Sequence, residues 1–304
     1  MISFSYLSGV YAAAVTPLKP DFSPDLQALP ALLDFLAQRG CHGVLLFGTT
    51  GEGPSFSPPE RLEVLKAAQK IKQSRPDFRI LVGTGTPSLT ETIELTRATF
   101  DQGADGVVVL PPYYYRKVSD EGLFAWFSEV IRSAVPSGKA LLGYHIPPVT
   151  GVPLSLDLLS RLRDAYPDRF AGIKDSSADL EHARLVGAKF GADLLILNGT
   201  DRLFSQALLA GASGCITALG NLFSPDLRRV WDAHQRGESD EVAQKRLDAA
   251  RSISEKYPPA PPLLKMLLSK WYGLPAWPVR PPLIGLSAET IEKALADIEP
   301  LRDE

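Results

Sequence analysis

Eight short apolar runs alternate along the chain with longer amphipathic segments, and this alternation limits the possible folds more than any other feature. The runs are rich in Val, Ile and Leu and show no polar alternation, which is typical of strands buried on both faces of a parallel sheet. Eight strand-then-helix units within roughly 235 residues favour an α/β fold, the closed eight-stranded (β/α)8 TIM barrel, over an open doubly wound sheet. The predicted strands span residues 10–15, 43–47, 79–83, 106–110, 140–144, 170–174, 194–197 and 214–217.

The segments between these runs carry apolar residues at helical spacing, and a further helical region follows the last unit. We predict the barrel over residues 1–237 and a C-terminal helical appendage over residues 238–304. Because the appendage keeps helical spacing, we expect it to pack on the barrel rather than to form a linker. The predicted helices span residues 25–39, 58–73, 88–101, 120–134, 154–165, 180–190 and 203–210, a helix that starts near Pro225, and the appendage segments 240–257, 263–271 and 288–301.

Composition and charge exclude several classes of protein. The net charge of −3 gives no basic footprint for nucleic acid. No apolar stretch approaches the roughly 18 residues of a membrane span, and residues 1–11 do not resemble a signal peptide, so we expect a cytoplasmic protein. Cys41 and Cys215 lie far apart without partners at metal or redox spacing, and we expect both to be core thiols in a reducing compartment.

The predicted strand ends carry the side chains that can do chemistry, because the active site of such a barrel lies at the carboxyl ends of its strands. They bring together one lysine, several phenols and a Gly/Thr loop whose backbone N–H groups can hold an anion. They contain no cluster of His, Cys and carboxylates at metal-ligand spacing, so we expect no metal. Gly83-Thr84-Gly85 lacks the further glycine of a dinucleotide fingerprint, and we interpret it as a tight turn.

Lys174 ends the apolar run 170–173, just before a polar turn. A lysine in this position is most often a solvated surface charge. If it is held at the mouth of the barrel, partial desolvation keeps part of the amine neutral, and a neutral amine can attack a carbonyl to form a Schiff base. The spacing alone leaves both interpretations open.

Motifs near the strand ends resemble those of the dihydrodipicolinate synthase / N-acetylneuraminate lyase family of pyruvate-type class I aldolases. They occur in family order and spacing over nearly the whole chain, and this similarity favours the catalytic interpretation of Lys174. The matching motifs are Ala14-Val15-Thr16-Pro17, Gly48-Thr49-Thr50-Gly51-Glu52, Pro112-Tyr113-Tyr114, Tyr144-His145-Ile146-Pro147 with Thr150-Gly151, Gly172-Ile173-Lys174-Asp175, Asn198-Gly199 and Gly214-Cys215-Ile216.

The resemblance implies a role for each matching residue. Lys174 is expected to form a Schiff base with the keto carbon of pyruvate or another 2-oxo acid, which gives access to a carbanion at the next carbon without any cofactor. Tyr144 is expected to be the general acid/base at that carbon. Thr49 and Thr50 match the pair that binds the substrate carboxylate, and Thr50 matches the hydroxyl that links two tyrosines.

The second of those tyrosines matches Tyr114, which in the synthases reaches in from a neighbouring subunit. The resemblance therefore implies a homo-oligomer, a dimer or a tetramer, with pyruvate and an aldehyde as small-molecule partners. Gly199 is assigned to the substrate pocket, and Ile216 is interpreted as a wall of the pyruvate pocket. His145 adjoins Tyr144, and strand alternation is expected to point it away from the barrel centre into a structural role.

Three positions depart from well-known members of the family. Val149 stands where the synthases carry an arginine that binds the second substrate's carboxylate. Arg202 and Ala218 stand where the sialic-acid lyases carry an acidic residue and a serine, which counts against a polyol substrate. These departures favour a 2-keto-3-deoxy sugar acid or a 4-hydroxy-2-oxoglutarate type of substrate. Arg202 is expected either to bind a distal anionic group of the substrate or to form a surface ion pair.

Two alternatives stay open at this point. The first is a true 4-hydroxy-tetrahydrodipicolinate (dihydrodipicolinate) synthase with a displaced arginine. The second is a non-catalytic barrel that binds a 2-oxo acid, since a fold does not fix a function. Joint presence of Lys174, Tyr144, Thr49 and Thr50 argues against the second alternative, because a scaffold has no use for all four.

Overall fold

The computed structural model describes residues 4–302, which form a closed eight-stranded barrel. Each strand pairs in parallel with the next, and β8 returns to β1. The predicted (β/α)8 TIM barrel is therefore confirmed. Its strands are β1 (Gly9–Ala13), β2 (Gly43–Leu46), β3 (Arg79–Gly83), β4 (Gly106–Val109), β5 (Ala140–His145), β6 (Phe170–Asp175), β7 (Leu195–Asn198) and β8 (Gly214–Thr217).

Apart from the short α5, which was not predicted, the helices follow the predicted segments with small shifts at their ends. The first begins at Leu29 rather than at residue 25, because the Asp25 carboxylate accepts hydrogen bonds from the backbone of Gln27 and Ala28 and holds a turn there. No helix within residues 4–302 is both long enough and apolar enough to cross a membrane. The helices are α1 (Leu29–Gln38), α2 (Pro58–Ala68), α3 (Leu89–Asp101), α4 (Asp120–Ala134), α5 (Pro147–Thr150), α6 (Leu156–Ala165), α7 (Leu180–Phe190), α8 (Phe204–Leu209), α9 (Ser224–Gln235), α10 (Glu241–Ser254), α11 (Ala260–Tyr272) and α12 (Ala288–Ile298).

Strands β5 and β6 meet in a register that decides the geometry of the site. The pairing shifts by one residue after Leu141, and beyond the shift Tyr144 lies directly beside Lys174. Gly172 makes this possible, since its φ of 150° is a conformation that side chains rarely adopt, and a Cβ there would lie 1.9 Å from the carbonyl oxygen of Leu195. The glycine therefore allows β6 to approach β7 closely.

The C-terminal helices share a core with the barrel. Leu247 of α10 and Leu264 and Trp271 of α11 belong to the same buried cluster as Val44 of β2 and Leu32 of α1. These C-terminal helices therefore pack on the barrel through a continuous apolar core. Cys41 and Cys215 are free, buried thiols, as predicted.

A buried ion pair ties the appendage to the loop that follows β2. Lys265 of α11 is 1% exposed, and its Nζ donates to Glu52 Oε1 at 2.5 Å and to the carbonyl oxygen of Pro278 at 2.7 Å. The other carboxylate oxygen of Glu52 accepts from the backbone N–H of Arg280 at 2.8 Å. Burial lowers the pKa of Lys265, while the Glu52 carboxylate acts in the opposite direction.

Replacing Lys265 by Met tests this link. The change leaves the Glu52 carboxylate buried without its cation, and we expect a loss of about 3–5 kcal/mol in the free energy of unfolding, measured by urea denaturation. Lys293→Met is the control: it breaks an exposed pair with Glu289 on α12 and should cost at most about 0.5 kcal/mol. Equal, small losses in both variants would contradict a structural role for the buried pair.

Candidate active site

Lys174 and Tyr144 lie side by side at the carboxyl ends of β6 and β5. The Lys174 side chain is 3% exposed, and its Nζ lies 4.0 Å from the centre of the Tyr144 ring. Tyr144 belongs to the apolar cluster that fills the inside of the barrel, together with Leu197 and Ile216. The lysine is therefore held away from bulk water, which excludes the solvated-charge interpretation.

The Tyr144 phenol is surrounded by groups that favour its ionised form. Burial raises its pKa, but the charge of Lys174 and hydrogen bonds from Thr49, Lys174 and Ser176 outweigh burial and bring the pKa below its ordinary value. The Thr49 hydroxyl lies 3.2 Å from the phenolic oxygen. A phenol in this setting gives up and takes back a proton more readily than a free tyrosine.

The threonine that contacts Tyr144 differs from the one that the resemblance indicated. The expected link to the tyrosine was through Thr50, but the hydroxyl beside Tyr144 is that of Thr49. The reason is the turn after β2, in which Thr49 and Thr50 point in different directions: Thr49 is exposed at the strand ends, whereas Thr50 is buried. The structure therefore assigns the contact with Tyr144 to Thr49, and among the described residues no hydrogen bond joins Thr50 to Tyr144.

The turn itself is held rigidly. Phe47 and Glu52 have left-handed φ angles of 57° and 56°, and the backbone N–H of Glu52 donates to the carbonyl oxygen of Thr49. The buried Arg61 donates to the carbonyl oxygens of Gly53 at 2.7 Å, Gly83 at 3.1 Å and Phe56 at 3.2 Å. Burial lowers the pKa of Arg61, whose side-chain hydrogen bonds go to backbone carbonyls. The hydrogen bonds of the Arg61 guanidinium and the ion pair between Glu52 and Lys265 thus hold the Gly/Thr loop in place.

Ser176, in the polar turn that follows Lys174, is a site residue to which the sequence motifs assigned no role. A Cβ on Gly199 would lie 1.9 Å from its Oγ, so the glycine after β7 makes room for this hydroxyl. The Ser176 hydroxyl also contributes to lowering the pKa of Tyr144. Gly199 therefore provides space for Ser176 beside Tyr144, and its contact with a substrate stays a prediction. Ile216 is fully buried in the inner cluster beneath the site.

Tyr114 is 75% exposed, and its ring packs edge-on against that of Tyr115, which is also exposed. Among the described residues no hydrogen bond joins Tyr114 to Tyr144 or Lys174. A single chain therefore does not place this phenol in its own site. Tyr113 is half-buried, and burial raises its pKa.

Arg202 points away from the strand ends toward α10. Its guanidinium donates to Glu255 Oε2 at 2.9 Å and to the hydroxyl of Ser252 at 3.2 Å. Its neighbour Asp201 is fully buried and pairs with Arg251 of the same helix at 3.4 Å. Of the two expectations for Arg202, the surface ion pair describes its position in the structure.

Val149, at the position of the missing arginine, is 58% exposed on the short helix α5. Arg116, from the loop after β4, packs against the end of this helix. A Cβ on Gly151 would lie 2.8 Å from Cδ of Arg116. Arg116 is exposed, and no carboxylate among the described residues pairs with it. A guanidinium is thus available beside α5 from a different part of the chain.

Three residues that could hold a metal come together outside the barrel: His145, Asp175 and His182, although sequence spacing gave no sign of the group. The rings of His145 and His182 stack 4.4 Å apart, and His182 Nε2 lies 3.9 Å from Asp175 Oδ2. His145 Nδ1 accepts from the backbone N–H of Leu154 at 3.0 Å, so the neutral ring carries its proton on Nε2.

That hydrogen bond argues against metal ligation by His145, because a metal on Nε2 would require the proton to move to Nδ1, against the N–H of Leu154. Burial lowers the pKa of His145 to about 4, while the Asp175 carboxylate acts in the opposite direction, so the ring is neutral at physiological pH. His145 therefore has the structural role that strand alternation predicted.

Comparison with known proteins gives a consistent result. A family model described as the dihydrodipicolinate synthetase family matches residues 6–300. The chain is 39% identical over 292 residues to an uncharacterized DapA-like lyase of Chloroflexus aurantiacus, covering 96% of each protein. It is 32% identical over 293 residues to 4-hydroxy-tetrahydrodipicolinate synthase 2 of Streptomyces coelicolor, covering 95% of this chain and 93% of that protein.

Among solved structures, the chain is similar to YagE, a prophage protein of the dihydrodipicolinic acid synthase family from E. coli K12, in complex with pyruvate. The TM-score is 0.89 at 27% identity, over 97% of this chain and 98% of that one. With the strand-end lysine, the neighbouring tyrosine and the Gly/Thr turn in place, these matches show that the chain belongs to the dihydrodipicolinate synthetase family and is a lyase of that family.

Proposed function

We propose that the protein is a Schiff-base-forming aldolase that makes or breaks a carbon–carbon bond next to the keto carbon of pyruvate or a related 2-oxo acid. The contact between Lys174 Nζ and the Tyr144 ring, inside an apolar barrel mouth, carries this proposal. A buried amine beside a phenol of lowered pKa supplies both a nucleophile and a proton carrier.

In the proposed reaction the neutral Lys174 amine attacks the keto carbon, and loss of water leaves an iminium. Tyr144 then takes a proton from the adjacent carbon, and the resulting enamine attacks the carbon of an aldehyde. Tyr144 returns its proton to the aldehyde oxygen, which becomes a hydroxyl. Water finally releases the product and restores the free lysine. Cleavage is the reverse sequence, and no external cofactor is needed, since the iminium itself accepts the electron pair.

The substrate carboxylate is proposed to bind at Thr50 and the Gly/Thr turn, while Thr49 orients Tyr144. A hydroxyl on the substrate would meet Ser176, whose Oγ lies over Gly199 beside the phenol. This arrangement supports a 2-keto-3-deoxy sugar acid or a 4-hydroxy-2-oxoglutarate type of substrate. The exposed Tyr114 supports a homo-oligomer in which this phenol enters the site of a second copy.

A second candidate is a 4-hydroxy-tetrahydrodipicolinate synthase with a displaced arginine. The observation that favours it is the position of Arg116, which packs against Gly151 at the end of the helix that carries Val149. From there the guanidinium can bind an anionic group of the second substrate. The two candidates share the lysine chemistry and differ in the aldehyde acceptor.

Trapping with sodium borohydride tests the lysine chemistry. With pyruvate present, we expect an intact-mass spectrum of the wild type to show one reduced adduct per chain, because hydride converts the iminium to a stable amine. Lys174→Ala should show none, and the exposed Lys117→Ala should behave like the wild type. A wild type that binds pyruvate without an adduct and without exchange of its methyl protons would identify a non-catalytic binder.

Replacing Thr49 by Val tests the proton carrier. The change removes a hydrogen bond that favours the phenolate, so the pKa of Tyr144 rises toward its ordinary value. The rising limb of the pH profile for methyl proton exchange of pyruvate should move up by roughly 0.5–1 pH unit, the equivalent of one hydrogen bond.

The matched control is Thr50→Val, which should raise KM for pyruvate without moving that limb. Identical pH profiles in the wild type and in Thr49→Val would show that the Thr49 hydroxyl does not act on the titrating group.

The acceptor is tested at Arg116. We expect Arg116→Ala to raise KM at least about tenfold for an aldehyde that carries a carboxylate, such as aspartate semialdehyde, and to spare an uncharged one, because only the former loses a charge-assisted hydrogen bond. The neighbouring Lys117→Ala is the control. An equal effect on both aldehydes would contradict recognition by Arg116, and the pyruvate adduct should form in both variants.

A further inference from the structure

The appendage contains a cavity far from the chemistry of Lys174, between α11 and the irregular segment 276–286. Its volume is about 540 Å3, within the range of small-molecule sites. The walls are mostly apolar, and Ile284 at its rim is 78% exposed. We call this space the appendage cavity. Part of its apolar lining is exposed to water, as this isoleucine shows, so the cavity is not an enclosed packing defect of the core.

The polar groups of the appendage cavity are all donors or hydroxyls. Its described lining residues include Lys270, Ser269 and Trp277, but no Asp or Glu. Trp277 is buried and contributes its side chain to the wall of the cavity.

The two lysines of the cavity differ in what they are free to bind. Lys265 lines the cavity, but the Lys265 ammonium already donates to Glu52 and to the carbonyl oxygen of Pro278. Lys270 is exposed and has no ion pair among the described residues, so its charge is available at the mouth. Within the described lining, an apolar space with one unpaired cation and no carboxylate is complementary to an apolar molecule that carries one anionic head.

We infer that the appendage cavity binds an amphipathic monocarboxylate, with the carboxylate at Lys270 and the hydrocarbon chain along Ile284 and Met266. A chain of medium length fits, because it covers the exposed isoleucine and stays within the cavity. This site is separate from the pocket proposed for pyruvate. A test of the lysine chemistry therefore does not decide whether the appendage cavity binds a carboxylate.

Isothermal titration of the full chain with octanoate and with 1-octanol tests the inference. We expect octanoate to bind at one site per chain with a Kd below about 1 mM, and 1-octanol to bind about tenfold more weakly, since it lacks the charge. Lys270→Gln should weaken octanoate about tenfold and leave 1-octanol unchanged, whereas Ile284→Asp should abolish the binding of both.

Two controls match these variants elsewhere on the surface. Lys70→Gln removes an exposed lysine of the segment after α2, and Leu209→Asp changes an exposed leucine on α8. Both should bind octanoate like the wild type. Absence of octanoate binding to the wild type, or binding that survives Ile284→Asp, would overturn the inference. Loss of self-association in Ile284→Asp, with no octanoate binding to the wild type, would instead identify a contact between copies.

Discussion

The buried pair between Glu52 and Lys265 is the interaction on which the geometry of the site depends. Two charges removed from water are tolerated only because further hydrogen bonds satisfy them, and here Pro278 and Arg280 supply these. The carboxylate belongs to the turn that presents Thr49, and the ammonium belongs to α11. The appendage is therefore a structural support of the strand-end chemistry, although it contributes no reacting group of its own.

The second constraint is the pairing of β5 with β6. Once Gly172 has let β6 shift its register, Tyr144 and Lys174 are neighbours without any further adjustment of loops. Their proximity in a water-poor barrel mouth strengthens the interaction between ammonium and phenol, because the local dielectric is low. The same geometry thus lowers the pKa of Tyr144 and holds the phenol beside the lysine that is proposed to form the Schiff base.

The sequence predicts the barrel well because each strand is buried on both faces, and burial leaves a direct trace in apolar runs. It predicts Lys174 and Tyr144 through strand-end motifs. The sequence could not show that Lys265 pairs with Glu52, because 213 residues separate them. Each residue alone is indistinguishable from an ordinary surface charge. For the same reason the sequence did not decide between the two expectations for Arg202, whose partner Glu255 lies 53 residues away, directly after α10. Thr49 was exchanged with Thr50 because the motif gives residue types but no side-chain directions.

The residues at the strand ends differ in rigidity and in exposure to solvent, and these differences match the roles proposed for them. Lys174, Tyr144 and Thr50, which are proposed to act on the 2-oxo acid, are buried on strands or on a turn held by Arg61, so their positions are fixed by the core. The groups that would meet the aldehyde, among them Val149, Tyr114 and Arg116, are exposed on connecting segments. Substitution there costs little folding free energy, because few core contacts are lost. The proposed lysine chemistry can therefore stay constant on this barrel while the acceptor changes, and the role proposed for Arg116 is that of a loop arginine in place of one that is missing from α5.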